Sequence, residues 1–184
     1  YFVGSRGNWY PNRANAFAKY DITFRYPTNL DLVSTGEIIE NRTEGEWRIT
    51  RRTTASPIRF AGFNLGRYEK ASVTRTGYTV EVVANRRVET ALQPRPREVI
   101  IVPTPSPRRR RVDQIPIPMP APPLNPTARL QELATEVAAA VEFLSQHLGP
   151  PPLKSITVSP IPGAFGQGFP GLIYLSTLTY LNPG

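Results

Sequence analysis

Proline is distributed so unevenly that it draws the first map of this chain. Of 21 prolines, 11 fall in the 33 residues from Pro94 to Pro126. Each fixes φ and removes a backbone N–H, so the stretch has few ladder donors and reads as an extended, polyproline-like linker. The expected organisation is an antiparallel β-domain over 1–93, a Pro/Arg-rich linker over 94–126, and an incomplete α+β unit over 127–184. The linker also holds six arginines, four of them adjacent at 108–111, against Glu98 and Asp113. That concentrates half of the chain's net charge of +8.

The first part carries strand patterning. Tyr20-Asp-Ile-Thr-Phe-Arg-Tyr26 alternates apolar and polar residues, the period of a half-buried strand, and Pro27 ends it. Further strands are expected over 31–40, 46–54, 57–63, 68–75 and 78–85, with turns at Asn41–Gly45 and Arg75–Gly77. Short strands at this spacing suggest an antiparallel sandwich or saddle-like sheet. Trp9, Tyr10, Tyr20, Phe24, Tyr26, Trp47 and Phe60 read as packing of that sheet.

The third part changes period. Leu130, Leu133, Val137, Val141, Leu144 and Leu148, with Ala134 and Ala138 beside them, form one apolar helix face. Asn125 is the expected N-cap, Pro126 the first helical residue, and Gly149-Pro150 the stop. Two strand-like runs follow, Ile156–Pro160 and Leu172–Leu178. A unit this small makes a poor core of its own, and the helix face is expected to lie against chain outside these residues rather than on the β-domain. The fold class is thus mainly β, with one long helix and two strands after the linker.

Composition excludes several chemistries. Without cysteine there is no disulfide, iron–sulfur cluster or thiolate zinc site. The single histidine, His147, cannot form a two-histidine metal site, and no nucleophile and carboxylate stand in a triad pattern around it. It reads as a helix C-terminal residue complementing the macrodipole. Glu132 and Glu136, four apart on the helix, read as solvated neighbours. No catalytic residue, metal ligand or cofactor is therefore expected here. A pI near 10.2 raises nucleic acid as a partner. The arginine run lacks interleaved aromatics for base stacking, which argues against that partner and for a solvated spacer. No apolar run is long enough for a membrane helix.

The loop between the last two strands, 160–171, holds four glycines and three prolines. It lacks the spacing of a phosphate loop or a dinucleotide fingerprint. Glycines flanking an apolar strand allow close approach of another backbone, so an extended peptide could pair along that edge. An ordinary connector fits the spacing equally well.

Asn8-Trp-Tyr-Pro11, Tyr20-Asp-Ile-Thr-Phe-Arg-Tyr-Pro27, Val33-Ser-Thr-Gly36 and Pro57-Ile-Arg-Phe-Ala-Gly-Phe-Asn-Leu-Gly-Arg-Tyr68 resemble, in order and spacing, the N-terminal β-domain of the aminopeptidase N family of zinc metallopeptidases. Phe143–Pro152 and Leu153-Lys-Ser-Ile-Thr-Val158 resemble the first helix and strand of that family's thermolysin-like catalytic domain. Gly166-Gln-Gly-Phe-Pro-Gly-Leu-Ile-Tyr174 falls where the family carries its exopeptidase motif, Gly-x-Met-Glu-Asn.

The resemblance implies a peptide-groove edge built by Gly166, Gln167, Gly168, Phe169 and Gly171. The Met-Glu-Asn triplet lands on Gln167, Gly168 and Phe169, so the glutamate that binds a substrate's free amine is absent. The family's His-Glu-x-x-His helix lies beyond this strand. The resemblance thus implies a fragment that is non-catalytic by itself, zinc and a peptide substrate in a longer parent, and the remainder of the catalytic domain as partner. The alternative from the residues alone is a stand-alone noncatalytic module that binds a polypeptide or an anionic partner.

Overall fold

The computed structural model describes residues 1–3, 9–11, 16–75, 77–93, 97–100, 116–119 and 124–181. In chain order the strands are β1 (Phe2–Val3), β2 (Asp21–Pro27), β3 (Asp31–Ser34), β4 (Glu37–Glu44), β5 (Trp47–Thr53), β6 (Phe63–Gly66), β7 (Tyr68–Arg75), β8 (Tyr78–Asn85), β9 (Arg97–Ile100) and β10 (Pro116–Met119). Helix α1 (Leu130–Leu148) follows, then β11 (Ser155–Ile161), β12 (Gln167–Phe169), β13 (Leu172–Ser176) and helix α2 (Thr177–Leu181).

The architecture is mainly β, in antiparallel and mixed sheets, with one long helix, as the sequence patterning implies. The alternation of β2 pairs antiparallel with β5, which in turn pairs with β4. β4 is exposed along its whole length and carries Glu40, Arg42 and Glu44, with Arg42 ion-paired to both glutamates. Charges of this kind blunt an edge strand against unwanted pairing. The expected single strand over 31–40 is broken into β3 and β4, because Gly36 takes φ +90 and turns the chain between sheets. The expected strand over 57–63 is also absent: Ile58 makes only an isolated bridge to Ala18, and β6 begins at Phe63.

β8 is the spine of the largest sheet, ordered β12-β13-β11-β8-β7. Its Tyr78, Val80, Val82 and Ala84 face one core, and on the opposite face Val83, among Thr79, Glu81 and Asn85, reaches a second core. β11 lies parallel to β8, with Ser155 opposite Thr79 and Val158 opposite Val82. Strands from 1–93 and from 127–184 therefore share one sheet.

This arrangement overturns the expectation that the helix face lies on chain elsewhere. Leu130, Leu133, Ala134 and Ala138 of α1 are buried against Val73, Tyr78, Val80 and Val82 of β7 and β8. The Tyr78 hydroxyl donates to the Ala138 carbonyl at 2.9 Å within this core. Tyr78→Phe should cost about 1 kcal/mol, read by denaturant unfolding, since it removes one buried bond and keeps the ring. Beyond Val141 the stripe leaves the sheet, and Leu144 and Leu148 are exposed.

The helix also starts later than Asn125 suggests. The Asn125 side chain accepts from the Thr127 amide at 3.0 Å and caps a turn, after which α1 begins at Leu130 without a side-chain cap. Gly149, at φ +87, ends it as expected. Inside the expected linker, β9 and β10 pair antiparallel, so that segment is not ladder-free throughout. Pro116 and Pro118 share one parity of the strand, which places both missing N–H groups on one side. The arginine run at 108–111 lies outside the described residues.

Candidate functional site

The second face of the large sheet is covered by the small sheet β1-β6-β3. Phe169, Leu172, Tyr174, Ile161 and Val83 are buried there with Val33. Asn64 on β6 crosses this interface, donating to the Ser159 hydroxyl at 2.8 Å and the Pro160 carbonyl at 3.0 Å. Pro160 is tolerated inside β11 because pairing with β8 ends at Val158, leaving its missing N–H no partner strand to fail on that side.

The glycine-rich loop turns out to contain a strand. β12 pairs antiparallel with β13, Phe169 opposite Leu172 and Gln167 opposite Tyr174, across the two-residue turn Pro170-Gly171. Proline first and a glycine at φ +76 second are the residues of a type II turn. β12 is a terminal strand of its sheet. In a two-residue hairpin the residues flanking the loop exchange both ladder bonds, and the parity alternates from there. Phe169 and Gln167 therefore direct their backbone groups to β13, and Gly168 directs its N–H and C=O to the open edge.

All five residues expected at a peptide edge thus come together on one hairpin, in different situations. Gly166 and Gly168 are exposed, and a Cβ at Gly168 would meet nothing within 4 Å. Phe169 is buried, with its ring edge-on to Tyr174 at 5.4 Å, and also packs near Gly62. It seats the strand and presents no side chain to solvent. Gly171 serves the turn. Burial pushes the Tyr174 hydroxyl well above the ordinary phenol range, and it has no hydrogen-bond partner among the described residues.

The remaining candidates resolve simply. Glu132 and Glu136 both lie against Arg129, at 2.8 and 3.6 Å, and the Arg129 hydrogen bond holds the Glu132 carboxyl below its usual range. His147 sits in the last turn of α1, its Nδ1 at 2.9 Å from the Phe143 carbonyl. Trp9, Tyr10, Tyr20, Phe24 and Phe63 form an aromatic cluster beside β2, edge-on between Trp9 and Phe63 at 5.0 Å and between Tyr10 and Tyr20 at 5.4 Å, with Phe24 tilted against Trp9 and Phe63. Partial burial and the Tyr10 side chain push the Tyr20 hydroxyl up to about 12. Among the described residues no group of three histidine, cysteine or acidic side chains could hold a metal ion, so a zinc site does not fit them. No helix among them is long and apolar enough to cross a membrane.

With this geometry in place, comparison with known proteins is informative about fold. No family model matches the sequence, and no curated protein matches it. Solved structures do. A mutant of the M1 zinc metallopeptidase from Deinococcus radiodurans bound to a Tyr-Ser-Ala substrate superposes with a TM-score of 0.56 at 13% identity, covering 90% of this chain and 32% of that one. The M1 zinc metallopeptidase from the same organism matches with a TM-score of 0.54 at 13% identity, over 88% and 30%. A two-domain M1 zinc metallopeptidase mutant bound to L-tryptophan gives 0.52 at 14% identity, over 88% and 30%. The likeness is one of fold. This chain spans about a third of the length of the M1 structures it matches, and the β-rich architecture is the part they have in common with it.

Proposed function

We propose that this chain is part of a metallopeptidase-like protein of aminopeptidase N type, in which it is non-catalytic by itself and supplies one wall of a peptide groove. The observation that carries the reading is the terminal strand β12, whose Gly168 backbone groups point out of the sheet. An extended peptide adds to such an edge through main-chain hydrogen bonds, which suits a site that accepts varied side chains. The M1-like fold supports the same reading. Gly166, Gln167 and Gly168 form the strand edge, while Phe169 and Gly171 hold it in place. Gly168 stands where the family has its amine-binding glutamate, so strict recognition of a free N-terminus is not part of the proposal. Zinc and the hydrolytic groups belong to chain outside these residues.

The test is to extend the chain. The coding sequence following Gly184 is read over roughly one further domain, on the order of 150 residues. A His-Glu-x-x-His there, with a downstream glutamate, supports the reading. A span without it removes the reading and leaves a strand-binding module. In the extended protein, Gly168→Pro takes away the outward N–H and should raise KM for a peptide substrate about five- to tenfold, the value of one hydrogen bond. Gly168→Ala, for which there is open space, should leave KM nearly unchanged. Equal KM values for the two variants would remove β12 from the groove.

A further inference from the structure

A second site lies on the other side of the hairpin turn. The fold leaves a cavity of about 370 Å3 between β5, the β3–β4 corner, the start of β11 and Gly171. That is the size of a small-ligand site, for which about 300–1,000 Å3 is usual. Among the side chains lining it are Arg52, Lys154, Glu37, Thr53 and Ser155.

Arg52 is the unusual member. Its Nη1 donates to the carbonyls of Ser34 at 2.8 Å and Gly36 at 2.7 Å. Its Nε is buried and has no partner among the described residues. No described carboxylate forms an ion pair with it, whereas neighbouring Arg51 is ion-paired to Asp21. Burial pushes the Arg52 pKa down, against the opposing influence of Tyr26 and Glu81. A guanidinium remains charged even so. Its direct polar contacts among the described residues are two carbonyl oxygens, with Glu81 acting on it only through space, and a half-buried cation without a direct ion pair is costly. Lys154 adds a second cation at the wall, and Glu37 is the one acidic residue among the lining. Hydroxyls at Thr53 and Ser155 supply neutral donors of the kind that complete an oxyanion's shell.

We propose that this cavity is an oxyanion site for a small carboxylate- or phosphate-bearing molecule, with Arg52 and Lys154 as its cationic contacts. The Nη2 group, which the two carbonyls leave free, and the Lys154 ammonium provide charge-assisted hydrogen bonds to such a group. Because the lining draws on β5 and on the segments around β11 and Gly171, an occupant joins the N-terminal sheet to the base of the β12–β13 hairpin. The proposal is independent of the peptidase reading, and its test needs no extended protein.

The test titrates the full chain with inorganic phosphate and, separately, with acetate at matched ionic strength. It follows thermal melting and the amide resonances of Gly36, Ser155 and Gly171. The expected result is a saturating rise in Tm for at least one anion, with a dissociation constant on the order of millimolar. Resonance shifts should be confined to those three amides and their neighbours. The tighter of the two anions identifies the group, phosphate or carboxylate. Lys154→Glu, at an exposed position, should weaken binding about tenfold. Arg52→Gln, which removes the charge and the Nη donors, should abolish it. Should Arg52→Gln fail to fold, Lys154→Glu decides the matter. A response that does not saturate, that potassium chloride reproduces, or that Lys154→Glu leaves unchanged overturns the proposal.

Discussion

Leu133→Ala is expected to lower the unfolding free energy by about 3 kcal/mol, and Leu148→Ala by less than about 0.5 kcal/mol, although both leucines lie on the same sequence stripe. Leu133 is 4% exposed and packs among Tyr78, Val80 and Val82, whereas Leu148 is 80% exposed at the far end of α1. Truncating Leu133 removes buried methyl groups and leaves a space that the paired strands and the adjoining Ala134 and Ala138 cannot fill by small movements. In a chain of this length the loss corresponds to roughly 6–12 °C in Tm. Thermal melting of the two variants side by side decides where the helix docks. Similar losses from both would mean that the stripe packs along its whole length on something other than β7 and β8.

The same pair shows how far the sequence was legible. Periodicity named the buried helix face and Gly149 named its end, because both are local properties of the chain. What the face packs against is not local. β8 reads as a strand from its own residues, but its partnership with β11 joins positions more than seventy apart, and nothing in either segment encodes that register. The linker's prolines suggested a separation that the shared sheet bridges. Asn125 shows a smaller error of the same kind: its side chain does cap a turn, and only the geometry of 126–129 decides that the helix waits until Leu130.

The candidate edge was legible only as a glycine-rich segment. The five residues proposed for the edge came from glycine content and resemblance, and the structure sets them on and beside one terminal hairpin. A three-residue strand containing glycine has too little alternation to stand out, so β12 read as loop. The run Leu172–Leu178 read as one strand for the opposite reason, since apolar residues fit either period over so short a span. A signal for α2 was present: Ser176 precedes it, and its hydroxyl accepts from the Leu178 amide at 3.2 Å, as an N-cap does. The anion cavity had no such signal. Arg51 and Arg52 are adjacent in sequence and opposite in a strand, and only the pairing of Ile22 with Arg52 settles which one turns inward. Thr53 follows it on the same strand, while Lys154 and Ser155 join it from the start of β11, about a hundred residues later.

Gly36→Ala should be among the most damaging small changes in the chain, and Gly77→Ala separates its causes. Both glycines have φ +90, a conformation in which any Cβ costs about 1–2 kcal/mol. At Gly77 that is all, because an added Cβ would meet nothing within 4 Å. At Gly36 the Cβ would stand 2.8 Å from the Thr53 carbonyl oxygen and 3.2 Å from its carbon, and these are backbone atoms of a paired strand that cannot swing aside. The Gly36 carbonyl also accepts from Arg52, so displacing it disturbs the guanidinium. The expected loss is about 3–4 kcal/mol at Gly36 against about 1–2 kcal/mol at Gly77, measured by denaturant unfolding. The difference between the two is the part owed to the close approach of β4 and β5 at this corner. It should be accompanied by weaker anion binding in Gly36→Ala and by unchanged binding in Gly77→Ala. Equal stability losses would mean that the corner is looser than its geometry states, and that Gly36 is needed for its φ alone.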